Sequence, residues 1–278
     1  MSAPSAASPA ASAEPRRPAA LHGGPVRRLL AGAAAMSLTE WRKLRHDQLD
    51  LVTRSVQPLL WLFVFGTAMS RLRSIPTPGG VDYRAYLTPG VMAQAAMFVA
   101  IFFGLAVIWE RDVGQLQRLL ATPLPRTALV LGKAAGAATR AVVQAVLLLI
   151  VVAIAGIDLR WRVLGVLGAL VLLALGTGVF ACLSMTIASL VKQRERFMGI
   201  GQLVMMPLFF ASSALYPLAI MPGWLKAIAH VNPLTYEVEG LRGFLLGGGH
   251  PGVDLLVCLA WLVVLAAAAT RAYPKAIL

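Results

Sequence analysis

Charged residues in this chain concentrate in two segments that lie between long apolar runs, and these segments are where the chain could carry chemistry. The first covers residues 110–133 and opens with Glu110-Arg111, followed by Gly114. A short helix from Glu110 to Leu120, ended by two prolines, would present charges and leucines to the aqueous phase. A solvated connector with charges at the helix ends is the alternative interpretation.

The second segment, residues 221–254, is too long for a simple turn. Apolar side chains recur at helical spacing on both sides of Asn232-Pro233, a pair that breaks a helix. Two short helices that dip into the membrane would fit this pattern, because re-entrant backbone is tolerated where protein buries it. Trp224 lies in the first of these predicted helices and Tyr236 lies in the second.

Two carboxylates and an arginine follow in the second of these predicted helices. Carboxylates at membrane depth are costly unless they face protein or water, so Glu237 and Glu239 are candidates for a function. The hypothesis is that at least one of them lines an exit and interacts with Arg242, three residues beyond Glu239 on the same helical face. The alternative is that both carboxylates lie in solvent above the bilayer.

The sequence shows none of the short motifs that mark a hydrolase or a nucleotide site. HExxH and GxSxG are absent, and Gly132-Lys133 lacks the earlier glycine and the following Ser or Thr of a phosphate-binding loop. Cys182 and Cys258 lie in apolar runs, where cysteine acts more often as a small core side chain than as a disulfide, ligand or nucleophile. The sequence therefore predicts no catalytic residue, no metal site and no cofactor bound by this chain.

Long uncharged runs set the fold class. Of the 278 residues, 58% are hydrophobic and 13% are charged, which is roughly half the charged share usual in soluble domains. A helix needs about 17–25 mostly apolar residues to cross a bilayer. We therefore predict an all-α, polytopic integral membrane protein with six transmembrane helices, at about residues 55–69, 86–109, 141–157, 163–191, 197–220 and 255–270.

Ionisable residues are absent from the interior of all six predicted spans. Such residues are costly inside a membrane and persist there mainly for function. Their absence argues against a proton-coupled carrier, an intramembrane protease and a voltage sensor. If the chain takes part in driven transport, the energy must come from a partner.

The region before the first span divides into two parts. Residues 1–26 are rich in Ala, Ser and Pro and cannot bury enough apolar surface to offset chain entropy, which predicts a disordered tail. Residues 27–54 place Trp41 and several aliphatic side chains on one helical face, with Arg42 and Lys43 on the other. This pattern predicts an amphipathic helix in the membrane interface, and an ordinary surface helix is the alternative.

The formal net charge of +13 is explained by membrane topology and not by nucleic acid. The basic residues flank apolar runs, and no basic stretch is interleaved with aromatic residues. Most of the 25 Lys and Arg lie before the first span, after the second and fourth spans, and at the C-terminus. Because basic residues favour the cytoplasmic side, six spans predict that both termini are cytoplasmic and that 221–254 faces outside.

A set of short motifs occurs in a recognisable order along the chain. They are Tyr86-Leu87-Thr88-Pro89-Gly90, Glu110-Arg111 with Gly114, Leu119-Leu120-Ala121-Thr122-Pro123-Leu124-Pro125-Arg126, Gly132-Lys133, Ser212-Ser213-Ala214-Leu215-Tyr216-Pro217, Met221-Pro222-Gly223-Trp224-Leu225, Asn232-Pro233-Leu234-Thr235-Tyr236 and Leu241-Arg242. In this order, on six predicted spans, they resemble the ABC-2 type transporter permeases, in particular the branch of daunorubicin-type drug exporters and nodulation-factor exporters. The resemblance covers roughly residues 27–278.

The resemblance implies a complex in which two permease subunits, identical or homologous, pair above two cytoplasmic ABC ATPase subunits that bind ATP and Mg. The segment after the second span would contact the ATPase, and the segment between the fifth and sixth spans would form re-entrant helices over the exit. The Thr that often follows the loop glycine is replaced here by Gln115, which puts the details of the ATPase contact in doubt. The residues implied are Glu110, Arg111, Gly114, Leu119, Leu120, Thr122, Pro123 and Arg126 for coupling, and Trp224, Asn232, Pro233, Tyr236, Glu237, Glu239 and Arg242 for the exit segment.

The resemblance further implies a non-enzymatic permease in the bacterial plasma membrane. It would export a hydrophobic or amphipathic compound, such as a drug-like polyketide or a glycolipid, along a path between two permease units. A permease for a cell-surface polysaccharide or another lipid-linked glycan is the alternative within transport. A membrane assembly protein without a substrate is the alternative outside transport, and an adjacent ATPase gene would favour export over it.

Overall fold

The structure is a computed structural model that describes residues 31–273, except 33, 36, 39–40, 43–47, 73–76, 115–124 and 192. All regular elements in these residues are helices, and no strand occurs among them. The all-α prediction is therefore confirmed for the described part of the chain. The predicted tail at 1–26 lies outside it, as do several parts of the predicted interfacial helix at 27–54.

The α-helices whose bounds lie in the described residues are numbered in chain order. They are α1 (Gln48–Leu60), α2 (Gly66–Leu72), α3 (Tyr83–Asp112), α4 (Arg126–Ile154), α5 (Val163–Leu190), α6 (Arg194–Phe210), α7 (Gly223–Val231), α8 (Pro233–Leu245) and α9 (Pro251–Ala272). Single turns of 3-10 helix lie at Pro78–Gly80 and Leu218–Ile220.

Four helices in the described residues, α3, α4, α5 and α9, are long and apolar enough to cross a membrane. They correspond to the predicted spans at 86–109, 141–157, 163–191 and 255–270. The predicted span at 197–220 is helical only as far as Phe210, the end of α6. Beyond it the Ser212 hydroxyl donates to the Phe209 carbonyl at 2.7 Å and accepts from the Ala214 amide at 3.2 Å, a serine turn that replaces the helical ladder.

The predicted span at 55–69 lies within a continuous helical stretch, in which a π-helical turn at Trp61–Phe65 connects α1 to α2. Pro58 lies inside α1 and has no N–H to donate to the Arg54 carbonyl four residues earlier. Gln144 of α4 supplies a donor instead, with its Nε2 3.2 Å from that oxygen. The wider π turn follows directly after this interruption of the helical ladder.

The helix α4 begins at Arg126, well before the predicted start of the third span at 141. Lys133 and Arg140, whose charges favour a loop assignment, both lie inside this helix. The helix therefore extends 15 residues before the predicted span at 141–157, which itself contains no ionisable residue. Of the predicted polar loop at 110–133, residues 110–112 belong to α3 and residues 126–133 belong to α4. Both basic side chains of α4 contact α3, Lys133 through an ion pair with Glu110 and Arg140 through a cation–π contact with Phe103.

The helix α5 forms the centre of the described bundle, and α3, α4, α8 and α9 all pack on it. It is apolar on all sides, as expected for a helix surrounded by other helices. Two glycines of α5 allow α8 to approach closely, since Phe244 of α8 packs on Gly168 and Glu237 of α8 packs on Gly176. The close approach of α8 to α5 therefore depends on the absence of a side chain at Gly168 and at Gly176.

Candidate functional site

Two charged clusters lie at opposite ends of α3. The Glu110 cluster consists of Trp109, Glu110, Arg111, Asp112, Lys133 and Arg194, and the Arg242 cluster consists of Tyr86, Glu239 and Arg242. Both clusters include residues of α3, a continuous helix of 30 residues. At 1.5 Å per residue, the helix separates Tyr86 from Glu110 by about 36 Å.

Glu110 and Lys133 form an ion pair that joins the end of α3 to α4. The Lys133 Nζ donates to both carboxylate oxygens of Glu110 at 2.5 Å. The Lys133 side chain is 7% exposed and the Glu110 side chain is 22% exposed. Removing one partner of such a shielded pair costs about 3–5 kcal/mol, because the other charge stays buried without compensation.

Asp112 joins the same end of α3 to the start of α6. The Arg194 Nε and Nη2 lie 2.9 and 2.8 Å from the Asp112 Oδ2, and the Arg194 guanidinium lies 4.0 Å from the centroid of the Trp109 ring. Both members of this ion pair are more than one third exposed. Solvent screening therefore reduces its contribution to less than about 1 kcal/mol.

The coupling residues predicted from sequence occupy several kinds of position. Glu110 and Arg111 lie in the last turn of α3, so the predicted short helix that begins at Glu110 is wrong at its start. Gly114 follows the end of α3 with a φ of 70°, a conformation that glycine adopts without strain. Arg126 is the exposed first residue of α4. The other predicted coupling residues, Leu119, Leu120, Thr122 and Pro123, lie outside the described residues, as does Gln115.

Arg242 is the centre of the second cluster and is 6% exposed. Its Nη1 donates to the Glu239 Oε1 at 3.0 Å, which confirms the predicted interaction between these two residues. Its Nη2 donates to the carbonyl oxygens of Ser213 at 2.7 Å and Ala214 at 3.2 Å, and its Nε donates to the Tyr86 carbonyl at 3.3 Å. Arg242 therefore ties α8 both to the start of α3 and to the segment after α6.

The segment after α6 also packs directly on α3 through backbone. A Cβ added at Gly90 would lie 2.3 Å from the Ala214 carbonyl oxygen, so a side chain at this position would displace the segment. The Tyr83 hydroxyl donates to the Leu215 carbonyl at 2.8 Å. These contacts bury the segment and explain why its backbone carbonyls face Arg242 and not water.

Two short helices, α7 and α8, occur where the sequence predicts them, and Asn232-Pro233 joins them. The Asn232 Oδ1 accepts from the Leu234 amide at 3.0 Å and caps α8, while Pro233 takes the first helical position. The Asn232 Nδ2 donates to the carbonyls of Leu208 at 2.6 Å and Ala211 at 3.0 Å. Asn232 is therefore a structural residue that fixes the start of α8 on the end of α6.

The remaining aromatic residues of the predicted exit segment lie nearer the surface. Trp224 of α7 is 68% exposed. Tyr236 of α8 is partly buried, and its hydroxyl donates to the His230 carbonyl at 2.7 Å. The structure does not bring either side chain into the Arg242 cluster.

Glu237 lies on the face of α8 that packs against the bundle and is 0% exposed. The alternative that both carboxylates lie in solvent is therefore wrong for this residue. Neither carboxylate oxygen has a hydrogen-bond partner in the described part of the chain. A Cβ added at Gly176 would lie 2.2 Å from the Glu237 carboxyl, which shows how closely α5 covers it. The helix α8 is not one of the four described helices that are long and apolar enough to cross a membrane. Burial raises the pKa of the Glu237 carboxyl well above its usual value, which favours the neutral acid.

A cavity of about 570 Å³ adjoins the Arg242 cluster. Its charged lining comes from Arg160, Glu239 and Arg242, and residues 247–249 and Pro217 form part of its apolar wall. Glu239 therefore lines this cavity, whereas Glu237 is not among the residues that line it. The two neighbouring carboxylates of α8 have different environments because they lie on different faces of the helix.

Lys133 is the main candidate that sequence interpretation missed. Gly132-Lys133 stood out only as an incomplete phosphate-binding motif and as one of the ordered motifs, and nothing in the sequence pairs Lys133 with Glu110, 23 positions earlier. Gln94 and Gln144 were missed as well, although both are buried inside apolar helices. A search of the apolar runs for uncharged polar side chains would have found these two.

Comparison with known proteins identifies the class of this chain. A family model described as ABC-2 type transporter matches residues 34–246. Nodulation protein J of Rhizobium leguminosarum bv. trifolii is 32% identical over 208 residues, which cover 74% of this chain and 77% of that protein. A ycf38 transport permease of Porphyra purpurea is 30% identical over 210 residues, covering 74% and 69% respectively. The daunorubicin resistance ABC transporter permease protein DrrB1 of Streptomyces coeruleorubidus is 28% identical over 239 residues, covering 83% and 82%.

The chain therefore belongs to the ABC-2 type transporter family, as the ordered motifs indicate. Its relatives are named as transport permeases, a drug-resistance permease and nodulation proteins. Family membership and the four long apolar helices together define a membrane transport permease.

Proposed function

We propose that this chain is the membrane-spanning subunit of an ABC exporter that moves a hydrophobic or amphipathic compound out across the bacterial plasma membrane. Two lines support the proposal: the ABC-2 family match, and relatives named for daunorubicin resistance and for nodulation. A drug-like polyketide or a glycolipid is the class of cargo we expect. Apolar helices of the described bundle would provide the surroundings such a compound requires.

ATP hydrolysis is assigned to a partner in this proposal. The sequence carries no phosphate-binding loop, and permeases of this family normally work with an ABC ATPase. We expect two ATPase subunits, which bind ATP and Mg, beneath two permease subunits that are identical or homologous. This chain would then be a permease without an enzymatic activity of its own.

A single observation carries the coupling mechanism: one helix, α3, which continues through Pro89, connects the Glu110 cluster to the Arg242 cluster. At the Glu110 end, ion pairs join α3 to α4 and α6. At the other end, the Tyr86 carbonyl of α3 accepts from Arg242 of α8. A force applied at the Glu110 end of α3 would therefore move α3 together with α4, which the shielded ion pair joins to it, and would reach the cavity lined by Glu239 along α3.

The test removes the charged pair at the end of α3. The double variant Glu110→Gln with Lys133→Met keeps the approximate size of both side chains and leaves no unpaired charge, so the fold should persist. We expect ATP-dependent uptake of a labelled glycolipid or anthracycline into inverted membrane vesicles to fall at least about tenfold, while the permease still co-purifies with its ATPase. Without the ion pair, ATPase movement would no longer reach α4.

The control is Glu195→Gln, which removes an exposed carboxylate on α6 and should leave uptake unchanged. Wild-type uptake by the double variant would show that the Glu110 cluster does not couple the ATPase to export. Absence of ATP-dependent uptake by the wild-type complex for every glycolipid and anthracycline tested would contradict the proposed cargo class.

The proposed orientation places both termini in the cytoplasm, the Glu110 cluster on the cytoplasmic side and the Arg242 cluster outside. The excess of basic residues on one side supports it. A membrane-impermeant thiol reagent added to intact cells should label Gly248→Cys and should not label Gln193→Cys. Background labelling should be low because Cys182 and Cys258 are both buried. The opposite labelling pattern would overturn this orientation.

A further inference from the structure

Two arginines lie close together in the loop that connects α4 to α5. Ile157 and Leu159 of this loop are buried, whereas Arg160 and Arg162 are exposed. The Arg160 amide donates to the Leu245 carbonyl at the end of α8 at 2.7 Å, which holds the loop on the bundle. The two cations are therefore presented by a segment that is anchored on both helices it adjoins and on α8.

This loop lies at the boundary of the membrane. The helix α5, which is long and apolar enough to cross a membrane, begins at Val163, directly after Arg162. Trp161, between the two arginines, is 47% exposed, and tryptophan is enriched at the level of the lipid headgroups. Because the apolar run of α5 starts where the hydrocarbon starts, the two guanidinium groups lie at the depth of the headgroup phosphates.

Both arginines line a cavity of about 620 Å³ between the start of α5 and the end of α8. The rest of its lining is mostly apolar and includes Val163, Leu164 and Phe244. Val163 is 74% exposed and Leu164 is 84% exposed, so the cavity continues onto a surface that acyl chains can cover. A space lined by two cations and by aliphatic and aromatic side chains is amphipathic, as a phospholipid is.

The Arg160 guanidinium packs directly on backbone. A Cβ added at Gly247 would overlap this guanidinium, so the close contact depends on the absence of a side chain there. Gly247 has a φ of 85°, a conformation that glycine adopts without strain. Arg160 also lines the cavity beside the Arg242 cluster, so its guanidinium lies between the two cavities.

No carboxylate neutralises these two arginines in the described part of the chain. Their side chains form no ion pair and no hydrogen bond there. The segments around the cavity, 155–165 and 233–254, are described throughout, and the acidic side chains that the structure does not describe all belong to residues 1–50. The acidic residues of the two segments do not line the cavity: Asp158, Glu237, Glu239 and Asp254. An anion would therefore meet a net positive charge in this cavity.

A phosphodiester with acyl chains is the anion that matches the whole lining. The forked donors of arginine fit the oxygen atoms of a phosphate, and charge-assisted hydrogen bonds of this kind are strong. The ammonium of a choline headgroup would meet two like charges, which disfavours a zwitterionic lipid. Free phosphate would use the arginines and would leave Val163, Leu164 and Phe244 without a contact.

We infer that this cavity binds the headgroup phosphate of an anionic phospholipid, whose acyl chains lie along Val163 and Leu164. Arg160 and Arg162 bind the phosphate. The bound lipid would brace the end of α8 against the start of α5. The inference goes beyond the proposed function and does not depend on its cargo, and the proposed orientation assigns the lipid to the outer leaflet.

The experiment counts the lipids bound to the purified full-length chain in a neutral detergent by native mass spectrometry. Phosphatidylglycerol, phosphatidylcholine with the same acyl chains, and diacylglycerol are titrated separately. We expect phosphatidylglycerol to bind most tightly. The double variant Arg160→Gln with Arg162→Gln should weaken that binding about tenfold, because both charged donors are lost. Leu164→Asn should weaken it by a smaller factor, because it removes part of the acyl contact and leaves the charge unchanged.

The matched control is Arg196→Gln with Lys226→Gln, which removes the same charge from two exposed residues that do not line the cavity. It should bind phosphatidylglycerol as the wild type does. Arg160→Lys with Arg162→Lys keeps the charge and should keep most of the binding. A thermal melt of each variant separates loss of binding from loss of fold, and the single glutamine variants replace the double variant if it melts early.

Three results would overturn the inference: equal binding of phosphatidylglycerol and phosphatidylcholine, unchanged binding by the glutamine variants, or an equal loss in the control. Inorganic phosphate at millimolar concentration should not displace phosphatidylglycerol, because it makes no apolar contact. Displacement by inorganic phosphate would assign the cavity to a free anion and would overturn the assignment to a lipid.

Discussion

The two ends of α3 are attached to the rest of the chain by contacts of different kinds. At the Arg242 end, a guanidinium that is nearly inaccessible donates to three backbone carbonyls and to Glu239, and it lies over the Tyr86 ring. At the Glu110 end, the links to other helices are mainly ion pairs between side chains: the Glu110–Lys133 pair is shielded and the Asp112–Arg194 pair is more than a third exposed. Arg111 adds one long hydrogen bond to a backbone carbonyl, that of Val191, at 3.5 Å. Backbone acceptors cannot turn away from a donor, whereas side-chain partners can rotate and exchange with water.

This difference indicates which end of α3 can move. The Arg242 end is held by desolvated hydrogen bonds whose loss would leave several buried polar groups unsatisfied. The Glu110 end can lose the Asp112–Arg194 pair at a cost below about 1 kcal/mol, because water replaces the contact. We therefore expect the Glu110 end to rearrange during a transport cycle and the Arg242 end to keep its geometry.

The strongest test of the comparison is Arg242→Met, which keeps an unbranched apolar stem and removes every donor. The buried carbonyls of Ser213 and Ala214 would lose their donor and the link to the Tyr86 carbonyl would be lost as well, so we expect a destabilisation of roughly 3–5 kcal/mol. The apparent Tm of the purified protein in detergent should fall sharply. Arg196→Met, at an exposed arginine of α6, should leave the Tm unchanged. Equal melting of the two variants would show that the Arg242 end is not an anchor.

A smaller, pH-dependent effect is expected for Glu237→Gln. Burial raises the pKa of the Glu237 carboxyl in the folded protein above its ordinary value of 4.5, so folding disfavours its ionised form. Below about pH 4.5 the Glu237 carboxyl is protonated in both the folded and the unfolded state, so it does not change the free energy of unfolding. As the pH rises from there toward the folded-state pKa, it lowers the free energy of unfolding. Glutamine does not ionise in this range. The Tm of the variant minus that of the wild type should be constant in acid and should increase with pH, whereas Glu195→Gln should show no such trend.

The smallest expected effect belongs to Asp112→Asn, which removes the exposed ion pair with Arg194 and keeps the shape of the side chain. The Tm should change by an amount equivalent to less than about 1 kcal/mol. Raising the salt concentration should reduce the difference further, because salt screens exposed charges. A loss comparable to that of Arg242→Met would remove the distinction between the two ends of α3.

Much of the fold was predictable because membrane helices appear in the sequence as long uncharged runs. The spans at 86–109, 163–191 and 255–270 were predicted within a few residues of α3, α5 and α9. The start of α4 was missed because Lys133 and Arg140 made a helical stretch look like a loop. Their partners, Glu110 and the ring of Phe103, belong to another helix and are invisible in a local pattern.

The candidate site was predictable only in part, for the same reason. Glu239 and Arg242 are three residues apart on one helix, so their contact follows from helical geometry alone. Glu237 is two residues from Glu239, and only the position of α5 decides that it is buried against Gly176.

The sequence by itself determined the helical class, the approximate spans, the ordered family motifs and the two short helices around Asn232-Pro233. These properties depend on hydropathy and on near neighbours along the chain, which a local pattern records. The tertiary structure alone decided that Lys133 neutralises Glu110, that Arg242 closes on carbonyls of two distant segments, and that Glu237 lies in the protein interior. The physical reason is that ion pairing and desolvation depend on which helices meet in space, and separation along the chain does not specify that.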